Sequence, residues 1–264
     1  MSKFVKNLTL NILSIGNIHT TKMTGNDELQ SLLNKLKPVT CGKDLIRLGP
    51  DGDGGYLVPN DLEGIKACFS PGVDRISGFE SDCANMGMNV YMADKSVEKP
   101  PELHELFHFT KKYLGVTTDD DFMTLDDWVA ASIPESQDDL LLQIDIEGFE
   151  YEVFLGASER LLNKFRIIAV EFHNLQELRN KPFFNLTSRV FDKLLQSHRC
   201  VHNHPNNCCG TVKYAGIEIP RVTELTFLRK DRVVKPSFIS TFPHPLDCDN
   251  TTNPPLYLPK CWYK

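Results

Sequence analysis

The apolar positions of this chain fall into short unbroken runs, with helical stripes between some of them. Leu140–Ile144 and Ile167–Val170 carry no stripe, so each reads as a strand buried on both faces. Ile65–Gly72 reads as a strand closed by a glycine turn, Asn89–Asp94 as a strand ending in an acid, and Val222–Leu228 as an alternating strand. Leu45–Leu48 is a shorter strand. Leu29, Leu32, Leu33 and Leu36 share one helical face, with acids in the first turn. Ile76–Met86 has helical spacing with Ile76, Phe79, Cys83 and Met86 inward, and Leu103–Leu114 reads as a helix facing the sheet. Thr124 is a cap for a helix whose first turn holds Asp126 and Asp127. Gly148–Phe165 repeats Phe149, Val153, Ala157, Leu161 and Phe165 at steps of four, and Val190–Leu195 is a short helix. Strands alternating with helices predict an α/β fold with right-handed crossovers.

The strand ends carry the candidate chemistry. Asp145 with Glu147, and Glu171 with His173, are i,i+2 pairs, so each pair points to one side of its strand. Four acid, base or ligand groups thus converge at the rim where open α/β sheets bind ligands. Gly72, a helix and then Asp94 roughly 20 residues on follow the logic of nucleoside-cofactor folds, in which the acid binds ribose hydroxyls. The Gly-x-Gly-x-x-Gly fingerprint is missing, which disfavours a pyrophosphate cofactor. Gly49, Gly52, Gly54 and Gly55 beside Tyr56 form a turn-rich loop that lets backbone approach a ligand, or simply a hairpin turn. Cys200–Gly210 reads as a loop rich in ligand groups: His202, His204, Asn206 and Asn207. It is either a metal or substrate loop or a polar surface loop, and the adjacent Cys208 and Cys209 do not suit one tetrahedral zinc site.

Composition narrows the classes. A net charge of −6 argues against nucleic-acid backbone binding, and 41% hydrophobic with 24% charged residues is ordinary for a soluble globular protein. No apolar run approaches ~20 residues, so no membrane span is expected. Asn7, Asn11 and Asn17 interrupt the start, so Met1–Ile18 is not expected to be a signal peptide, and the scattered cysteines suggest reduced thiols in a cytoplasmic protein. The expected organisation is an N-terminal helical extension over 1–43, a main domain over 44–235, and a proline-rich tail over 236–264 packed on it.

Gln143–Ala157 followed by Val170–His173 resembles the signature of the FkbM-type S-adenosylmethionine-dependent methyltransferases. Asp53–Tyr56, Thr124–Asp126, His204–Asn207 and Thr223–Thr226 are also similar to members of that family, so the resemblance covers roughly residues 44 to 232. It departs in one place, since Ser70–Asp74 holds a single glycine after the first strand. The resemblance implies a Rossmann-like class I methyltransferase fold, a seven-stranded, mostly parallel sheet with helices on both faces. It also implies S-adenosylmethionine as cofactor and O-methylation of a small-molecule or glycan acceptor. Cofactor contacts are then expected from Gly54, Gly55, Tyr56, Gly72, Glu80, Asp94, Asp126 and Asp145. Glu147, His202, His204, Asn206 and Asn207 are expected to face the acceptor. Asp145 and His173 are the catalytic candidates. Two routes remove the acceptor proton: a histidine base, or a Mg²⁺ or Mn²⁺ ion held by Asp145, Glu171 and His173. A metal-dependent hydrolase using His202 and His204, and a non-catalytic binding module, are the alternatives.

Overall fold

The two acid-tipped runs lie side by side as parallel strands in a computed structural model that describes residues 13, 15, 16, 20–73, 75–133 and 139–264. Asp74 and most of Met1–Ile18, the segment expected not to be a signal peptide, lie outside the described residues. Along the chain come α1 (Asn26–Lys35), β1 (Leu45–Leu48), β2 (Tyr56–Pro59), β3 (Ile65–Pro71), α2 (Gly78–Asn85), β4 (Asn89–Ala93), β5 (Phe107–Thr110), β6 (Tyr113–Leu114) and β7 (Phe122–Met123). Then follow α3 (Leu125–Ser132), β8 (Asp139–Ile144), α4 (Glu150–Gly156), α5 (Glu159–Leu162), β9 (Phe165–Phe172) and α6 (Lys181–Ser197). The series closes with β10 (His198–Pro205), β11 (Thr211–Tyr214), β12 (Ile217–Pro220) and β13 (Thr223–Arg229).

Among the described residues the main sheet has seven strands in the order β10-β13-β9-β8-β3-β4-β5. The run from β9 to β5 is parallel, and β13 is antiparallel to both β9 and β10. Every residue of β9 is buried, because each face of the sheet is covered. Alternation divides its side chains between two clusters. Ile168 and Val170 pack with Leu140, Leu142 and helices α1 and α3 to α6, while Ile167 and Ala169 pack with Leu141, α2 and the β1–β2 hairpin. Each such aliphatic side chain contributes about 1.5–3 kcal/mol on burial.

Several elements differ from the periodicity. Leu103–Leu114 is not a helix: Phe107–Thr110 pairs in parallel with Val90–Ala93 as the edge strand, and Leu103 is exposed. The Tyr91 ring, stacked on His108 on one side and Phe69 on the other, joins that edge to the core. Ile76 and Met86 are exposed rather than inward, since α2 begins only at Gly78. The Gly148–Phe165 helix is broken at Ala157–Ser158, where the Ser158 hydroxyl accepts from Leu161 N–H to start α5. Phe149 is exposed ahead of α4, and Phe165 already belongs to β9. The short helix at Val190–Leu195 runs over all of Lys181–Ser197, with Pro182 in its first turn where a missing N–H is harmless. Cys200–Pro205 is strand and not loop.

The proline-rich tail lies against the domain with little regular structure. Its last turn, Lys260–Trp262, packs on α1, and Trp262 is fully buried with its indole N–H donating to Glu218 C=O at 3.1 Å. No helix among the described residues is long and apolar enough to cross a membrane.

Phe69 sits at the centre of this packing, stacked on Tyr91 and edge-on to Trp128 and Phe165. Phe69→Ala is expected to lower stability by about 3–5 kcal/mol. Denaturant unfolding with an unchanged m-value would show it, and a loss below ~1 kcal/mol would mean the ring is not the keystone suggested.

Candidate active site

The site begins with a backbone contact. Gly72, directly after β3, adopts φ +90°, and a Cβ there would lie 1.7 Å from the carbonyl oxygen of Asp145, directly after β8. Only glycine lets these two strand ends meet. The same Gly72 donates its N–H to Ala93 C=O at 3.0 Å, which fixes the end of β4 and with it Asp94. Over these ends arches the β1–β2 loop, tied down by Arg47, whose guanidinium donates to Pro50 C=O and Gly52 C=O at 2.7 Å each.

Between loop and strand ends lies a cavity of about 630 Å³. Its wall includes Gly54, Tyr56, Gly72, Glu80, Asp94 and Asp145, six of the eight residues expected to touch a cofactor. Asp94 is buried, and its Oδ1 accepts from Ser96 N–H and hydroxyl, each at 2.7 Å. Burial pushes the Glu80 carboxyl up to about 7, despite the Ser70 hydroxyl beside it. Gly55 and Asp126 do not line this cavity. A Cβ on Gly55 would meet Pro50 C=O at 2.1 Å, so Gly55 shapes the arch from behind. Asp126 accepts from Ser158 N–H at 2.8 Å and holds the α4–α5 junction.

Asp145, Glu171 and His173 do converge, with one ligand atom of each within 4.8 Å of the others. His173 Nε2 lies 3.8 Å from Asp145 Oδ1, 3.8 Å from Glu171 Oε2 and 3.5 Å from Glu147 Oε2. Its other nitrogen, Nδ1, lies 3.1 Å from Oε1 of the buried Glu150. Burial, reinforced by Glu171, holds Asp145 well above the ordinary carboxylate range. Burial and the neighbouring Glu224 raise Glu171 to about 8. Burial opposes charge on His173, but Glu150, Asp145 and Glu147 outweigh it and raise the imidazole. Among the described residues, Asp145 Oδ1 is a buried oxygen with no hydrogen-bond partner. Buried acids brought together in this way, with a raised affinity for protons, are a common feature of functional sites.

His202, His204 and Asn207 have other partners. On β10 and β13, His204 stands opposite Glu224, which stands opposite Glu171 on β9, so the acids continue across the sheet. Asp247 of the tail closes the row: His202 Nε2 lies 2.9 Å from its Oδ1 and His204 Nδ1 3.6 Å from its Oδ2, an ion-pair distance beyond hydrogen-bond range. Asn207 binds the tail backbone at Thr251 and Asn253, and neither histidine nor Asn207 lines the cavity. Asn206 alone reaches the cluster, donating to Glu171 Oε1 at 2.6 Å. Of the expected acceptor contacts, Glu147 is on the cavity wall. His202 and His204 stand beside Asp247 and off the cavity wall, so the cavity gives the hydrolase reading no histidine pair. Sequence reasoning missed Glu150, Glu224 and Asp247.

A sequence model of the methyltransferase FkbM domain family matches residues 61–200. No curated protein matches the chain. The matched segment contains Gly72, Asp94, Asp145, Glu171 and His173, whereas Asp53, Glu224 and Asp247 lie outside it.

The tail clamp has a pH signature. Burial alone would raise Asp247, but His202 and His204 hold it far below the ordinary range, so its stabilisation exists above about pH 4 and is lost only in strong acid. Burial opposes charge on His204, but Asp247 and Glu224 raise it, so its share is complete below about pH 6.5 and lost as pH climbs through the raised value. The stability gap between the wild type and Asp247→Asn should therefore be widest between about pH 4 and 6.5 and narrow in alkali. Urea midpoints across that range check it, and a gap that widens above pH 8 would refute the clamp.

Proposed function

The chain belongs to the FkbM methyltransferase family, and from that premise we propose that it is an S-adenosylmethionine-dependent O-methyltransferase acting on a hydroxyl of a small molecule or sugar. One observation carries this reading. A single cavity holds both a nucleoside-type ledge, Gly72 with Asp94, and the end of the acid–imidazole cluster at Asp145. The strand order, with its antiparallel β13 inserted between β10 and β9, supports a Rossmann-like class I architecture.

In this reading Gly72 lets the cofactor approach the backbone, Asp94 accepts from the ribose hydroxyls, and Tyr56 with Gly54 covers it from the arch. S-adenosylmethionine held there would supply an electrophilic methyl to the acceptor oxygen, its carbon–sulfur pair staying with sulfur, and the protein would take up the hydroxyl proton. His173, which stands behind Asp145 rather than on the cavity wall, would receive the proton at Nε2, 3.8 Å from Asp145 Oδ1. The walls hold the two reactants in near-attack geometry, a contribution of several kcal/mol. Exposed Phe149 and Ile76 flank the cavity beside Asp53 and Glu147. They offer an apolar face for a sugar ring and carboxylates for its hydroxyls.

The donor set also suits a hard divalent cation. Asp145, Glu171 and His173 would hold Mg²⁺ or Mn²⁺, and the partnerless Asp145 Oδ1 is an oxygen awaiting such a ligand. A bound cation would acidify and orient the acceptor hydroxyl.

Removing the Asp94 carboxylate should weaken S-adenosylhomocysteine binding roughly ten- to hundredfold, since a charge-assisted hydrogen bond contributes about 1.5–3 kcal/mol. Calorimetry on a folded Asp94→Ala protein tests it, and unchanged affinity would remove the ribose assignment. For the cation, EDTA should abolish methyl transfer and Mn²⁺ or Mg²⁺ restore it. Thermal stabilisation by Mn²⁺ should be larger at pH 8.5 than at pH 6, because protons on Asp145 and Glu171 compete with the metal. Full turnover in chelator would leave His173 as a base acting without metal.

A further inference from the structure

Glu150 has no exposed surface, yet it stands one side chain away from the reacting cluster. It opens α4, and its Oε1 accepts from Ile146 N–H at 3.1 Å and Gly148 N–H at 3.0 Å. With two amide N–H groups already donating to it, Oε1 faces its remaining neighbour as an acceptor. The third group facing that same oxygen is His173 Nδ1 at 3.1 Å. An accepting oxygen requires a donor opposite it, so Nδ1 carries the hydrogen and the Nε2 lone pair is left for the side of Asp145, Glu147 and Glu171. The next residue completes the grip: Tyr151 donates its hydroxyl to the backbone carbonyl of His173. Ring and backbone of His173 are thereby fixed by consecutive residues of one helical turn.

We propose that Glu150 is the positioning residue of this enzyme, holding His173 as the Nδ1–H tautomer so that Nε2 presents its lone pair to the acceptor site. The proposal rests on the reading that His173 serves the methyl-transfer reaction, and it holds whether Nε2 takes a proton or ligates a cation. The same carboxylate also secures the turn that carries Asp145 and Glu147, where Glu147 adopts φ +58° and Gly148 φ +107°. That turn-holding role is the plain alternative: a buried acid that binds two amides and merely abuts an imidazole.

The two accounts separate on the tautomer. In protein labelled with ¹⁵N-histidine, long-range ¹H–¹⁵N correlation in mild alkali, with the imidazole neutral, should show His173 protonated on Nδ1. In Glu150→Leu, which removes the acceptor oxygen that faces Nδ1, the ring should become a mixture of tautomers or Nε2–H. Turnover should fall roughly 10²- to 10⁴-fold, with S-adenosylhomocysteine affinity and the acceptor KM within about threefold, as expected for an interaction that matters only in the transition state. An unchanged Nδ1–H ring in a variant that still binds S-adenosylhomocysteine would overturn the proposal and leave Glu150 as a turn residue. Should the variant fail to fold, the wild-type spectrum decides: Nδ1–H upholds the assignment and Nε2–H overturns it. A shifted tautomer with unchanged turnover would uphold the positioning and instead remove His173 from the chemistry.

Discussion

The collision-free passage of Gly72 under the Asp145 carbonyl fixes the geometry of everything above it. Two parallel strands normally end a strand spacing apart, but here the chains leaving β3 and β8 close to a separation that excludes even a methyl group. Gly72 reaches one way to Ala93 and the other to Asp145, so the acid after β4 and the acid after β8 share one floor. Asp94 and the acid–imidazole cluster at Asp145 are therefore positioned by the same backbone contact. Under the proposed methyl transfer, two reactants held over that floor would owe their fixed relation to main chain.

The sheet also separates charge by rim. Where the parallel strands begin, arginines meet acids: Arg166 and Arg229 both reach Asp139, at 2.7 and 2.6 Å, and Arg232 grips Asp61 at 2.7 Å. Burial opposes ionisation of Asp139 and Asp61, yet these arginines hold both below their ordinary range. Where the parallel strands end, Asp145, Glu171 and Glu224 are raised instead, with imidazoles as their nearest bases. One rim is stabilised by its ion pairs, and the other keeps poorly compensated acids. Functional sites commonly carry such local instability against a rigid scaffold.

How much of this was legible in the sequence depended on which backbone rule each residue obeyed. Asp145, Glu171 and His173 sit at the ends of strands whose apolar runs are unmistakable, so their convergence followed from period two and parallel order. Glu150 lies beyond the turn, in a first helical turn where acids are routine partners of the dipole, and nothing local distinguishes it. His202 and His204 were misplaced for the opposite reason. A strand as polar as His198–Pro205 is buried only because Asp247, Asn250 and the backbone at Thr251 return to satisfy it and its neighbours, a long-range event invisible to a local window. Phe107–Thr110 became a strand because β4 offered it an edge, outweighing the helical spacing around it.

The tail gives the cluster a history as well as a shape. Asn250 Nδ2 donates to Glu224 Oε1 at 2.6 Å, and Asp247 closes the row that runs through His204 and Glu224 to Glu171. These partners are encoded long after the strands they complete, and contacts so distant in sequence form late because their loops are long to close. The acid row is thus finished by a segment that belongs to no strand of the sheet, and a chain lacking residues 247–253 would leave Glu224, His202 and His204 without the partners that bury them.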